Sequence, residues 1–147
     1  MTRMLILACS ATKRPVPGPV PAAELYDGPA YRVIRRSPPA DVVLMLSAEH
    51  GLLPADALIS TCDRRMDRAR AAHFMTDPAA RAAAATTIAH ATAGREITEI
   101  CCFGGKDYAC VVRDYSRTGL LPAPVAWDNR GIGHKLGTLK RWLEAPA

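Results

Sequence analysis

Arg3-Met4-Leu5-Ile6-Leu7-Ala8-Cys9 and Asp41-Val42-Val43-Leu44-Met45-Leu46-Ser47 are the two stretches that decide the fold. Neither alternates polar with apolar residues. A strand with one wet face alternates, whereas a strand covered on both faces reads as a continuous apolar run. Residues 99–103 have the same character, and residues 124–127 form a weaker fourth run. Helical signals lie between and after them. Asp27-Gly28-Pro29 precedes Tyr31, Val33 and Ile34 as a cap precedes a short helix. Asp77-Pro78 sets an N-cap Asp before a Pro at the first helical position, and the alanine-rich stretch that follows reaches Gly94, a natural terminator.

Gly104-Gly105 leads into Tyr108, Val111, Val112 and Tyr115, spaced to line one helix face. Gly131-Ile132-Gly133 opens a last helix with Leu136, Leu139 and Leu143 on one side and Lys135 outward. The alternation predicts an α/β fold: a three-layer, Rossmann-like arrangement whose mostly parallel sheet has four to five strands, the first central, with helices on both faces. Residues 15–21 and 48–63 read as its two long loops.

The 147 residues, 49% hydrophobic and 22% charged, fit a single domain spanning 1–147 and are too apolar for a disordered chain. A domain of this size buries enough surface to fold without a disulfide or metal staple. The longest uncharged apolar run, residues 4–9, falls far short of the ~20 residues a membrane-spanning helix needs. With no leader visible, the expectation is a cytoplasmic protein with no membrane partner. Net charge is +5, spread over both halves, with a pI near 9.2. That balance permits a polyanionic partner only where the fold gathers the charge on one face.

Five cysteines, an odd count, read as reduced thiols, with Cys101 and Cys102 directed to opposite faces of their strand. There is no CxxC pair, and His50, His73, His90 and His134 show no HxxxH spacing. Neither a metal site nor a cofactor is expected.

Ligands of open parallel sheets bind beyond the carboxyl ends of the strands, so the residues after each run carry the functional signal. Strand one is followed by Ser10, Thr12, Lys13 and Arg14, two hydroxyls and two cations suited to a phosphate or carboxylate. Strand two ends in Ser47-Ala48-Glu49-His50-Gly51, where Glu49 and His50 are an acid/base candidate pair. Strand three ends in Gly104-Gly105, which admits close backbone approach, and Tyr108 follows in the next helix, whose first N–H groups point at an anion site. Strand four is followed by Asp128; Asp63 and Asp128 are the other candidate carboxylates.

Ser10, Thr12 and Lys13 are expected to share one cleft with Ser47, Glu49, Gly104 and Gly105. Cys9 and Arg14 have the wrong separation for a phosphatase loop. No GxxxxGK[ST] motif is present, and residues 131–137 carry one residue too many for a dinucleotide fingerprint. Arg64, Arg65, Arg68 and Arg70 form a short basic cluster, either a track for a nucleic-acid backbone or a solvated helix face.

Taken together, Cys9-Ser10-x-Thr12-Lys13, Glu24-Leu25-Tyr26-Asp27-Gly28-Pro29-Ala30-Tyr31, Leu46-Ser47-Ala48-x-x-Gly51-Leu52-Leu53 and Gly104-Gly105-x-x-Tyr108 resemble a family of small, uncharacterised bacterial and phage domains. Residues 47–66 are also weakly similar to the YaaA peroxide-stress proteins, which are associated with DNA binding and protection from oxidative damage. The family often has an aromatic residue near positions 50 and 62, where this chain has His50 and Cys62. The resemblance implies nucleotide or nucleic-acid chemistry without a defined reaction.

The leading expectation is a metal-independent hydrolase or transferase acting on a nucleotide, nucleoside or modified base, of an N-glycosidase-like kind. Lys13, Arg14 and the Gly104-Gly105 helix start would hold phosphate or ribose. Tyr26, Tyr31 or Tyr108 would stack on a base, and Glu49, Asp63 or Asp128 would handle the proton or the developing cationic sugar. The alternative is a noncatalytic DNA- or RNA-binding module related to the YaaA proteins, and a third reading is a structural partner in a complex. Two Trp and two Phe favour a small pocket over a long strand groove. Nothing in the sequence sets the oligomeric state.

Overall fold

The computed structural model describes residues 2–9, 13–15, 18–60 and 64–145. In chain order the described elements are β1 (Thr2–Ala8), β2 (Val20–Pro21), α1 (Ala22–Leu25), α2 (Pro29–Arg35), β3 (Val42–Ser47), β4 (Gly51–Pro54), β5 (Leu58–Ile59), α3 (Arg68–Thr76), α4 (Pro78–Thr92), β6 (Ile97–Phe103), α5 (Lys106–Arg117), β7 (Val125–Trp127) and α6 (Ile132–Glu144). Five strands form one sheet in the order β4-β3-β1-β6-β7, with β1 at the centre. Within this sheet the β1–β3, β1–β6 and β6–β7 pairs are parallel and the β3–β4 pair is antiparallel.

The apolar runs explain this placement. Met4, Leu5 and Ile6 are fully buried, as a central strand with both faces covered requires. Alternate residues serve different clusters. Met4 and Ile6 join Leu44, Ile100 and Cys102 against Phe74 of α3, Ile88 of α4 and Val112 of α5. Leu5 and Leu7 join Met45 and Cys101 against Leu25 of α1, Tyr31 of α2 and Leu139 of α6. Each buried Leu, Ile or Met side chain contributes about 1.5–3 kcal/mol, so one seven-residue strand anchors two cores at once. Cys101 and Cys102 do face opposite ways.

The described part of the expected loop 48–63, residues 48–60, is not one long loop. Ser47 pairs with Gly51 and Leu46 with Leu52 as the chain doubles back into β4. Gly51 closes that reversal at φ +74°, and a Cβ there would meet the Phe74 ring at 3.2 Å. Val20 then pairs antiparallel with Ile59, tying the second expected loop to the end of the first.

The expected helix starts hold with adjustments. The Asp77 carboxylate accepts from the Ala80 N–H at 2.9 Å, but Ala93 (φ +48°) takes the left-handed conformation ahead of Gly94. Gly28 rather than Asp27 is the cap of α2, because the Asp27 carboxylate accepts a 2.7 Å bond from Arg35 instead. That guanidinium holds the Asp27 carboxyl below the usual carboxylate range. Arg68 and Arg70 lie in the first turn of α3, capped by Asp67. Among the described residues no helix is long and apolar enough to cross a membrane.

Candidate site at the carboxyl ends of β1 and β6

From β1 the chain passes through α1 and α2 on one face of the sheet to β3. From β6 it passes through α5 on the other face to β7. Adjacent parallel strands whose connections leave in opposite directions open a crevice between their carboxyl ends. A cavity of about 340 Å³ lies there. Ala8 and Cys9 form its wall from the end of β1, Phe103, Gly104 and Gly105 from the end of β6, and Gly28, Pro29, Ala30 and Tyr31 from the start of α2 and its cap. Tyr108 of α5 and Ile132 and Lys135 of α6 complete the wall among the described residues.

The two adjacent glycines do different work. A Cβ on Gly104 would lie 2.7 Å from the Ala8 Cβ and 3.3 Å from the Tyr108 Cβ, so Gly104 lets β6 and β1 close on each other. A Cβ on Gly105 would meet nothing within 4 Å, because that position faces open space. Gly105 is the N-cap of the 12-residue α5, and Gly131 is the N-cap of the 13-residue α6. Neither glycine has a side chain to satisfy the first N–H groups, and both helix starts present those donors with the positive end of a helix dipole.

The Gly104 carbonyl accepts from Trp127 Nε1 at 3.0 Å and from Lys135 Nζ at 3.1 Å. Lys135 therefore turns inward, contrary to the expectation that it faces solvent. It stands four residues before the buried Leu139 and shares that inner helix face. An ammonium group has three donors and spends one on Gly104, leaving charge and donors at the cavity wall.

Of the sequence-derived site residues, Gly104, Gly105, Tyr108 and Tyr31 come together in this cavity. Ser10, Thr12 and Asp63 lie outside the described residues. Lys13 bridges to Tyr26, and the Arg14 N–H donates to the Leu25 carbonyl at 2.7 Å, holding the chain after β1 against α1. Tyr26 and Tyr31 are 1% and 3% exposed, with ring centroids 5.7 Å apart. Tyr31 donates to the Ala8 carbonyl at 2.8 Å, and burial pushes its phenol well above the usual range. Tyr31 lines the wall and Tyr26 packs with it in the core, so both rings are core rather than stacking faces.

Ser47 and Glu49 sit elsewhere on the same edge. The buried Ser47 hydroxyl accepts from the N–H groups of Glu49 (3.2 Å) and His50 (3.1 Å), fixing the β3–β4 turn. Arg70 clamps that turn through the Ala48 carbonyl at 2.6 Å and the Glu49 carbonyl at 3.1 Å. The exposed Glu49 carboxylate stands 3.5 Å from Arg64. These two residues are not part of the cavity wall formed by Gly104 and Gly105.

Asp128 accepts four hydrogen bonds: from the Arg130 N–H and Nε on one oxygen, and from Arg130 NH2 and Thr138 Oγ1 on the other. Those donors hold its carboxyl well below the usual carboxylate range, which suits an anchor for Arg130 better than a proton carrier. Among the described residues no three His, Cys, Asp or Glu side chains gather as a metal-ligand set.

Lys135, Trp127 and Arg113 are the features the sequence reading missed. The Gly131 cap and the four-residue step from Lys135 to Leu139 carried the signal for Lys135. Trp127 ends the weakest strand run, and its contact with Gly104 depends on strand order, which no local pattern encodes.

No curated protein and no solved structure is matched by the chain. A family model described as a family of unknown function, DUF6884, matches residues 4–141, and the chain belongs to that family.

Proposed function

We propose that this chain binds a nucleotide in the cavity between the ends of β1 and β6, its phosphate facing the starts of α5 and α6. The observation that carries this reading is the coincidence of a strand-order reversal with two helix starts that lack side-chain caps on one cavity wall. The open face of Gly105 leaves room for an anion against the backbone, and Lys135 adds a positive charge. The volume of about 340 Å³ is at the lower end for small-molecule sites and suits a mononucleotide better than a dinucleotide.

In this reading the frame is a three-layer, Rossmann-like α/β domain of the cytoplasm. The expected C–N bond chemistry needs a carboxylate beside the sugar, and the described wall holds none. Binding is therefore the part of the nucleotide-processing reading that the geometry supports best. Glu49 remains the described carboxylate candidate that is not tied up as an anchor.

Isothermal titration of adenosine and uridine monophosphates into the wild-type chain and Gly105→Asp tests the reading. An aspartate there caps α5 and puts a carboxylate where the phosphate would sit. Wild-type binding with a loss of tenfold or more in Gly105→Asp is expected, as for the removal of a charge-assisted hydrogen bond. Equal affinities in the two proteins would overturn it.

A second reading, a noncatalytic nucleic-acid-binding module akin to the YaaA proteins, draws support from Lys106, Arg113 and Arg117 of α5, which line one cavity.

A further inference from the structure

A broader cavity of about 710 Å³ lies alongside the first, between α5, Met75 of α3 and the segment after β7. Lys106, Arg113 and Arg117 of α5 line it. At 100° per residue these three positions fall within an arc of about 40°, so one helix side carries all three charges. From first to last they span roughly 16 Å of helix axis. Among the described residues no carboxylate lies within ion-pair distance of Lys106 or Arg113. Asp114 also faces the groove, but its carboxylate is shared between Arg81 at 3.1 Å and Arg117 at 2.8 Å.

Trp127 and Lys135 close the groove at its other wall. The Arg113 guanidinium lies 5.8 Å and the Lys135 ammonium 5.6 Å from the Trp127 ring centroid, while the indole N–H is fixed on the Gly104 carbonyl. The result is an aromatic ring held in one orientation with two cations beside it, at the end of a cationic track. Lys135 also lines the nucleotide cavity, so the two spaces meet at one residue.

We propose that this groove takes the sugar–phosphate backbone of a single-stranded nucleic acid, one nucleotide of which enters the smaller cavity at Lys135. Cations spaced along a helix side neutralise successive phosphates, and a fixed ring flanked by cations offers a base a stacking surface. A mononucleotide in the cavity has no phosphate to place along the length of α5, and a strand does. The inference deepens the nucleotide-binding reading, on which its cavity half rests, and extends it from free nucleotides to strands.

The test compares fluorescently labelled single-stranded dT12 and rU12, by anisotropy, with thymidine and uridine monophosphates, by calorimetry. It uses the full chain and the double variant Arg113→Ala/Arg117→Ala, whose fold is checked by circular dichroism. Either strand is expected to bind at least tenfold more tightly than its mononucleotide at 100 mM salt. The double variant should lose most of that margin and leave mononucleotide affinity unchanged. Its salt dependence should become shallower by about 1.4 in log–log slope, as for two lost phosphate contacts on a single strand. The better of the two strands identifies the sugar.

A strand that binds no more tightly than the mononucleotide, or as tightly to the double variant as to wild type, overturns the groove and leaves the cavity reading standing. Strand binding that depends on Arg113 and Arg117 without any mononucleotide binding keeps the groove and overturns the cavity. No binding of either kind overturns both.

Discussion

Gly104 and Ala8 meet where β6 and β1 end, so closely that a Cβ on Gly104 would stand 2.7 Å from the Cβ of Ala8. Ala8 is held by its pairing with Leu46 and Tyr108 by helix α5, so neither yields cheaply. Gly104→Ala is expected to destabilise the chain by about 1–3 kcal/mol, the cost of overpacking. Gly105→Asp, one residue on, should change stability by only a few tenths of a kcal/mol, because an N-cap Asp and an N-cap Gly differ little. Urea melts of the two variants check the contrast. Equal losses would mean that the glycines are not divided between packing and an open ligand face.

The Ser47 hydroxyl holds the β3–β4 turn. It accepts from two backbone N–H groups, and the residue is 1% exposed. Ser47→Ala should cost about 1 kcal/mol in unfolding free energy, the net worth of a typical intramolecular hydrogen bond, because the N–H groups it frees belong to the exposed Glu49 and His50, with nucleotide affinity unchanged. Loss of affinity without loss of stability would place Ser47 in the binding site instead.

Asp128 ties Arg130 to α6 through Thr138, and these donors depress its carboxyl. A depressed folded value means that the stabilisation is complete above the unfolded carboxyl's value of about 3.9 and is lost as pH falls toward the folded one. Asp128→Asn should therefore be less stable than wild type by a constant margin between pH 5 and 7. That margin should shrink below about pH 4. Denaturant melts across this range check it, and a margin that grows on acidification would reverse the assignment.

Cys101 and Cys102 occupy opposite cores, and burial pushes both thiols up to about 12. At pH 8 only on the order of 10⁻⁴ of such a thiol is thiolate, the form that reacts. Labelling with iodoacetamide followed by peptide mass mapping should find the exposed Cys110 modified first, with Cys101 and Cys102 modified only on unfolding. Early modification of either would show that its core opens.

The strands that carry the fold were legible because burial on both faces removes polar residues from β1, β3 and β6, and that depletion is visible locally. β4 was hidden for a related reason. Leu52 and Leu53 are too few to form a run, and their strand is marked by the reversal at Gly51, four residues after Ser47. A glycine at that spacing, followed by two leucines, is a hairpin signal that loop length obscured. The strand-end glycines were legible as site candidates from their position alone. Lys135 was misassigned because its charge outweighed its spacing from Leu139. The groove along α5 was invisible because Trp127 and Arg113 lie far apart in sequence and become neighbours only through the β6–β7 pairing.

The nucleotide cavity is tested most directly by titrating uridine or adenosine monophosphate into 15N-labelled protein and following the backbone amides. Saturable shifts are expected at residues 105–108 and 131–135, the starts of α5 and α6 beside the cavity, with the amides of Glu49 and His50 unmoved. No saturable shift at either helix start, or shifts confined to the β3–β4 turn and the α3 start near Arg64, would contradict it.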